Sequence, residues 1–151
     1  MTATPTVALS AVSIRPATPA DANDLAALVA ELDYATTPAV VANRLAELTA
    51  AGDLLLVAEY ETRGIGLVHL HRTPFLHRPP DGRIVTLGVL AIYRNQQLGA
   101  KLLAAAEQQL WAWGCGRVEV TSGIPREAAH RFYQRLGYEP QSRRFVKARP
   151  R

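Results

Sequence analysis

The chain has 151 residues, of which 48% are apolar and 20% charged; this is the composition of one folded domain and excludes a disordered chain. No apolar run approaches the ~18 residues that a membrane-spanning helix needs, so we do not expect a membrane protein. A single cysteine, Cys115, excludes an internal disulfide framework, and a reducing, cytoplasmic setting is the default expectation. His69 and His71 lie close in sequence but have no cysteine or carboxylate pair at ligand spacing beside them, so we predict no metal site.

The net charge of +4 is unevenly distributed, because residues 126–151 carry +6 and residues 1–125 carry −2. A basic terminus is typical of nucleic-acid binding, but equally of a polyanionic small ligand or of solubility alone. Since no nucleic-acid motif accompanies these charges, we do not expect direct binding to nucleic acid. Residues 1–11 lack the basic start and long apolar core of a secretory signal, and we predict a disordered leader there, before one domain over 12–151.

The hydrophobic pattern of the first half predicts a strand, two helices and a hairpin of two strands. Each helix begins with a threonine N-cap that precedes a proline at the first helical position, and apolar residues recur behind each cap at helical spacing. The predicted elements are a strand over 12–15, a helix capped by Thr18, a helix capped by Thr37 and ended by Gly52, and strands over 53–59 and 65–71 that a turn over 61–64 connects.

The second half predicts alternating strands and helices. A loop over 73–83 precedes a nearly all-apolar strand, which we expect to be buried on both faces. The predicted elements are strand 84–92, helix 97–113, strand 117–121, helix 125–136 and strand 143–148. Strand–helix–strand from 84 to 121 implies a right-handed parallel crossover. The fold class is therefore α/β, with one mixed, mostly antiparallel sheet and helices on both faces.

The segment after strand 84–92 has the pattern of an anion-binding turn. A buried strand enters a tight turn that opens directly into a helix, whose first backbone amides have no partners within the helix. The helix dipole adds partial positive charge there, which favours phosphate oxygens. Gly99 permits close approach of a ligand, and Arg94 adds a positive charge. Alternatively, Gly99 serves only the close packing of the helix on the sheet.

Two motifs then indicate a family. Residues 94–100 read RNQQLGA, and residues 128–138 read AAHRFYQRLGY. The first resembles motif A of the GNAT superfamily of acetyl-CoA-dependent N-acetyltransferases, Arg/Gln-x-x-Gly-x-Gly/Ala. The second resembles its motif B, Asn-x-x-Ala-x-x-Phe/Leu-Tyr-x-x-x-Gly-Phe/Tyr. The chain departs from these patterns at Gln97, where the family has its first glycine, and at Arg126, where motif B has asparagine.

The resemblance covers about residues 12–146 and implies a GNAT fold whose central strand pair splays apart, with acetyl-CoA bound as cosubstrate in the gap. The implied cofactor-binding residues are Leu87, Gly88 and Val89 for the pantetheine arm, Asn95, Gln96, Gln97, Leu98, Gly99 and Ala100 for the pyrophosphate, and also Arg94 and Arg126. If Gln97 has ordinary helical angles and an outward side chain, the amides of the turn remain usable. In any other conformation we expect weaker CoA binding.

The chemistry that the resemblance implies is direct attack of a primary amine, on a small molecule or a protein, through a tetrahedral intermediate stabilised by the Val89 amide. Tyr133 matches the family's acid for the departing thiolate, although an aromatic residue on a helix face also fits plain packing. A base is needed because the amine arrives protonated. The candidate on strand 117–121 is Glu119, and its rivals are Glu59, His69 and His71.

Three further inferences remain open. Asp33 and Tyr34 lie in the loop that flanks the acceptor side in this family, or form an ordinary solvated loop. Trp111 and Trp113 cannot share one helix face, which is compatible with a homodimer. The alternative function is a CoA-binding regulatory domain of the same fold without turnover, which Gln97 and the missing unambiguous base both favour.

Overall fold

The structure is a computed structural model that describes residues 4–121, 127–141 and 144–151. The chain divides into two compact units, Met1–Thr121 and Ser122–Arg151. The elements of the first unit are β1 (Ser13–Pro16), α1 (Ala22–Glu31), α2 (Pro38–Ala50), β2 (Leu54–Tyr60), β3 (Arg63–Thr73), β4 (Asp81–Val89), α3 (Leu98–Ala112) and β5 (Arg117–Val120). None of the helices in the described ranges has the length and apolarity to cross a bilayer.

The strands form one open sheet in the order β1-β2-β3-β4-β5. The first three neighbouring pairs are antiparallel, and β4 and β5 are parallel, with α3 between them in sequence. The β2–β3 hairpin turns through Glu61 and Thr62, whose positive φ angles of 48° and 65° match a tight two-residue connection. The predicted mixed, mostly antiparallel α/β sheet is confirmed.

Both predicted threonine caps are present. Thr18 forms a capping box with Asp21 over a short 3₁₀ turn that leads into α1. At α2, the side chain of Thr37 accepts a hydrogen bond from the Val40 amide at 3.2 Å. These caps fix where the first two helices begin, as the sequence predicts.

Helices pack on both faces of the sheet because glycines on the central strands admit them. On one face, a Cβ at Gly66 or Gly82 would lie 2.9 or 2.8 Å from leucine side chains of α3. On the other face, a Cβ at Gly88 would lie 3.1 Å from Leu32, which ends α1. The apolar side chains of the three helices thus bury both sides of the sheet, as predicted.

Strand β4 begins and ends three residues earlier than the sequence predicts. Asp81 extends the strand because Arg78 and Arg117 bind its buried carboxylate at 2.6 and 3.0 Å. Gly82 continues it because the side chain of Leu110 fills the space beside its Cα. Arg117 and Leu110 are both distant in sequence from the start of β4, so the local pattern around the prolines indicates only a loop.

Residues 4–11 differ from the expectation of a disordered leader. Val7 and Val12 are buried, and a short 3₁₀ turn spans Leu9–Ala11. The Gln96 side chain binds this segment through the Val7 amide at 2.7 Å, and Lys101 Nζ donates to carbonyl oxygens of the same segment at 2.6 Å. These long-range contacts with α3 and the turn before it hold a stretch whose own composition carries no secondary-structure signal.

The second unit contains α4 (Glu127–Arg135), within the predicted helix 125–136. Residues 125 and 126 lie outside the described residues. The predicted final strand 143–148 is wrong over 144–148, because residues 144–151 have no regular secondary structure; residue 143 lies outside the described residues. Phe145 and Val146 are largely exposed. A short apolar run becomes a strand only where another strand or a core receives it.

Candidate active site

The described pairing of β4 with β5 covers only the first part of β4. Their pairing begins at Asp81 opposite Arg117 and ends at Ile84 opposite Val120. Strand β4 nevertheless continues to Val89, paired with β3 alone among the described residues. Within the described ranges, residues 85–89 of β4 therefore present an edge without a strand partner, where a ligand has access to backbone hydrogen-bonding groups.

A β-bulge lies where the described β4–β5 pairing ends. Ile84 lies opposite Leu70, and Thr86 lies opposite His69, so Val85 has no residue opposite it on β3. Such an extra residue bends the strand and disrupts the ladder locally. The bulge also reverses which residues face each side, since Gly82 faces α3 whereas Gly88 faces α1. The described pairing of β4 with β5 ends at Ile84, directly before this bulge.

Two amides of β4 point toward the unpaired edge. The Leu90 amide donates to the Ile65 carbonyl oxygen of β3 at 2.9 Å. Because successive amides of a strand point to opposite edges, those of Val89 and Leu87 point away from β3. The Val89 carbonyl, on the same side, accepts a hydrogen bond from Arg94 Nε at 3.1 Å. This edge thus offers backbone donors next to a guanidinium.

The turn after β4 presents a run of free amides. After the Arg94 amide, which donates to the Ala91 carbonyl oxygen at 3.2 Å, the next amide with a backbone acceptor is that of Lys101, which donates to the Gln97 carbonyl oxygen at 3.1 Å. Among the described residues, no acceptor receives the amides from Asn95 through Ala100. Helix α3, of 15 residues, starts at Leu98 and directs its partial positive charge to the same place. This arrangement suits a phosphate.

Gln97 does not take helical angles. It is left-handed, with φ of 66° and ψ of 14°, and stands at the N-cap of α3. This conformation costs a residue with a Cβ about 1–2 kcal/mol, which explains a glycine preference at the position. The Gln97 residue is exposed, and the neighbouring amides remain free. Gln97 therefore does not have the ordinary helical angles considered in the sequence analysis, and the weaker CoA binding expected in that case stays a prediction.

A cavity of about 550 Å³ opens on the sheet face that α1 and α2 cover. Its polar lining residues are Asp33, Tyr34, Thr36, Arg44, His69 and Thr86. Thr36 Oγ1 is buried without a hydrogen-bond partner among the described residues. Arg44 forms no ion pair with an acidic side chain of the described residues. Such unsatisfied groups in a concave site are typical of ligand binding.

Asp53, directly before β2, binds both histidines of β3. Its two carboxylate oxygens lie 2.7 Å from His69 Nε2 and 2.7 Å from His71 Nδ1. Burial by itself would raise the pKa of Asp53, but the hydrogen bonds from His71 and His69 outweigh it, so the pKa lies below its ordinary value. The carboxylate is therefore ionised at neutral pH.

Asp81 fixes the closed end of the β4–β5 pair, which is the end where the two strands are hydrogen-bonded to each other. Both residues that bind its carboxylate are arginines, Arg78 through two contacts of 2.6 and 3.1 Å and Arg117 through one of 3.0 Å. Burial opposes ionisation, yet the hydrogen bonds from the two arginines lower the pKa of Asp81. The two strands are thus tied together at the end where they pair.

The sequence-based site residues fall into separate groups. Leu87, Gly88 and Val89 lie on the unpaired edge, and the turn contains all the others from Arg94 to Ala100. Glu119 lies on β5 opposite Arg83 and is exposed. Tyr133 lies on α4 in the second unit, where its ring contacts Tyr138 at 5.7 Å between centroids. Arg126 lies outside the described residues.

The structure adds residues that sequence reasoning missed. Asp53, Arg44 and Thr86 join His69 at the cavity or beside it, although no local motif surrounds any of them. The signal available in the sequence was the alternation of His69 and His71 on one strand face. Trp111 is half exposed and Trp113 half-buried on the α3 side, and a homodimer stays a prediction.

The family comparison decides the identity of this fold. Residues 23–138 match the model of the Acetyltransferase (GNAT) family. The chain belongs to the GNAT family. Within the part that the structure describes, this GNAT chain holds no group of three or more His, Cys, Asp or Glu side chains arranged for a metal ion.

Individual relatives agree with the family. An aminoalkylphosphonate N-acetyltransferase of Salmonella typhimurium is 40% identical over 85 residues, which are 56% of this chain and 55% of the relative, so the match spans about half of that protein. An acetyltransferase of Trypanosoma brucei has the same fold, with a TM-score of 0.80, 22% identity and coverage of 91% of this chain and 99% of its own. An aminoglycoside N-acetyltransferase in complex with CoA has a TM-score of 0.79 and 17% identity, covering 93% and 95%.

Proposed function

We propose that this GNAT chain transfers an acetyl group from acetyl-CoA to the primary amine of a small molecule. The observation that carries the proposal is the unpaired edge of β4, which runs directly into a turn of free amides. A pantetheine arm extends along such an edge as a further strand does, through its amides. The pyrophosphate then meets the amides from Asn95 to Ala100 at the start of α3.

The acetyl carbonyl would lie beside Val89. The amide of this residue points toward the unpaired edge, so it can donate to the oxyanion that forms when the amine attacks. The donor is backbone and is fixed by the sheet, which avoids reorganisation during the reaction. Arg94, bound to the Val89 carbonyl oxygen, holds the end of the strand and contributes positive charge for the phosphates.

Tyr133 is proposed as the acid that protonates the thiolate, by its match to the family motif. Tyr133→Phe should lower kcat by about 100-fold, the low end of general-acid contributions, with little change in the Kd of CoA. Steady-state kinetics together with calorimetric CoA titration measure the two quantities. Phe132→Leu on the same helix is the matched control for packing. Equal kcat values for wild type and Tyr133→Phe would remove Tyr133 from the reaction.

The acceptor proposed is a small amine that also carries an acid group. A cavity of about 550 Å³ fits a small molecule. Arg44 supplies a positive charge without an acidic partner among the described residues, and Asp33 supplies a negative charge for the ammonium. The Salmonella relative, whose name specifies aminoalkylphosphonates, supports this class.

The reaction is tested by thiol release from acetyl-CoA with a panel of amines. The panel holds 2-aminoethylphosphonate, a hexosamine phosphate, an aminoglycoside and a lysine peptide. We expect the highest kcat/KM with the amine that carries a phosphonate. Saturable CoA binding without thiol release from any acceptor would instead support the regulatory alternative.

The contribution of Arg44 is tested against a matched substrate. Arg44→Gln should raise KM for 2-aminoethylphosphonate by about 10- to 30-fold, since a charge-assisted hydrogen bond contributes about 1.5–2 kcal/mol. Propylamine, which lacks the acid group, should be acetylated equally by both proteins. Arg63→Gln, at the exposed hairpin, is the control variant. The same KM for the phosphonate in all three proteins would contradict an acid-binding role for Arg44.

A further inference from the structure

The proposed reaction needs a proton acceptor, because a primary amine is protonated at neutral pH and has no lone pair for attack. The sequence leaves the base open between Glu119, Glu59 and the histidines of β3. The structure distinguishes these candidates by position and by hydrogen bonding.

The two histidines have defined tautomers. Asp53 is ionised at neutral pH, and an ionised carboxylate only accepts hydrogen bonds. The ring nitrogens that face it, His69 Nε2 and His71 Nδ1, must therefore carry their hydrogens. In a neutral imidazole the lone pair is then on the other nitrogen, Nδ1 of His69 and Nε2 of His71. A carboxylate that orients an imidazole in this way also stabilises the imidazolium after proton uptake.

Position favours His69 over His71. His69 lines the acceptor cavity and lies opposite Thr86, the first residue after the bulge. Thr86 also lines the cavity and leads into the unpaired edge where the thioester would lie. His71 is not among the cavity-lining residues and lies opposite Arg83, further toward the closed end of the β4–β5 pair.

The carboxylate candidates lie elsewhere. Glu59 binds Arg15 at 2.6 Å near the β2–β3 hairpin. Glu119 is exposed and lies on β5 opposite Arg83. Arg83 is the β4 residue that pairs with His71, so one strand separates Glu119 from the histidines. The charged or titratable groups facing His69 from the elements around it, among the described residues, are Asp53, His71, Arg83, Glu119, Asp33, Tyr34 and Arg44.

We infer that His69 is the general base for the acceptor amine and that Asp53 is the residue that positions it. The inference rests on the proposed function. His69 Nδ1 removes one proton from the ammonium, and the amine nitrogen then bonds to the acetyl carbon. The carbon–sulfur bond breaks, Tyr133 gives its proton to the thiolate and takes up the second nitrogen proton, and the imidazolium returns its proton to water.

The test is the pH dependence of kcat/KM with acetyl-CoA and 2-aminoethylphosphonate. His69→Gln should lower kcat/KM about 100-fold at pH 7. The loss should shrink as the pH approaches the pKa of the ammonium, near that of lysine at about 10.4, because a deprotonated amine needs no base. The Kd of CoA should be unchanged. His77→Gln, in the exposed loop before β4, should match the wild type at every pH.

Asp53→Asn is the second variant and keeps the volume of the side chain. An amide can donate to the histidines and select the wrong tautomer, so we expect a loss of at least about 10-fold at pH 7 that also shrinks at high pH. A loss of the same size at every pH would show a structural role and overturn the inference. The inference would also be overturned if the fall in kcat/KM toward low pH, which reports protonation of the base, disappears in Glu119→Gln and persists in His69→Gln. Absence of acetyl transfer by the wild type would overturn the proposed function as well, whereas a fully active His69→Gln overturns this inference alone.

Discussion

Ala100→Glu is expected to weaken CoA binding by about 100-fold while the protein remains folded. Ala100 is the third residue of α3, beside the amides proposed to hold the pyrophosphate. Two like charges about 4 Å apart repel by about 4 kcal/mol at the effective dielectric of a protein surface. Outward rotation of the side chain relieves part of this, and about 2.7 kcal/mol, or 100-fold in Kd, remains. Calorimetric titration with CoA measures the change.

The fold should tolerate this substitution, because acidic side chains at a helix N-terminus are favourable by about 0.3–1 kcal/mol. Thermal unfolding therefore separates loss of binding from loss of structure. Ala104→Glu introduces the same charge on an exposed position of α3 about one turn later and should leave the Kd nearly unchanged. Equal CoA affinity of wild type and Ala100→Glu would contradict a phosphate site at this turn.

Asp81→Asn should lower the free energy of unfolding by about 3 kcal/mol at pH 7. The Asp81 side chain is 3% exposed and binds two arginines, whose own side chains keep exposures of 32% and 54%. Removing one partner of a buried ion pair costs about 3–5 kcal/mol, and the low end applies because the arginines can reach water. The melting temperature should fall by roughly 6–12 °C.

The loss in Asp81→Asn should depend on pH in one direction. The pKa of Asp81 is lowered in the folded protein, so its stabilisation is complete above the unfolded pKa of about 3.9 and is lost as pH falls through the folded pKa. Urea unfolding at pH 7 and at pH 3 should therefore show the two proteins converging in acid. Glu47→Gln, an exposed change on α2, is the control. A difference that is constant with pH would contradict the ionised pair.

Much of the cofactor side of the candidate site is predictable from local sequence. The turn from Arg94 to Ala100 combines the end of an apolar strand with the start of a helix, and both features follow from short-range periodicity and capping. The left-handed Gln97 is not predictable from its residue type, since glutamine rarely takes that conformation. The turn geometry, fixed by the strand before it and the helix after it, imposes the strain.

The residues proposed for the acceptor side of the site could not be predicted without the fold. His69 and Asp53 are 16 residues apart, and only the antiparallel register of β2 and β3 brings the carboxylate to the ring. The order of residues 4–11 likewise depends on Gln96 and Lys101, about 90 residues away. Long-range contacts of this kind leave no periodic trace in the chain, because they join single side chains from separate elements.

The sequence by itself determined the α/β class, the order of the helices and of the first five strands, and the turn that leads into α3, since these depend on neighbouring residues and the period of apolar side chains. The tertiary structure decided where β4 starts, where its described pairing with β5 ends and which polar groups meet in the cavity. The bulge at Val85 is the physical reason: it is defined only by the residues across the sheet, it follows the last β4 residue that pairs with β5, and it turns the following side chains toward the cavity.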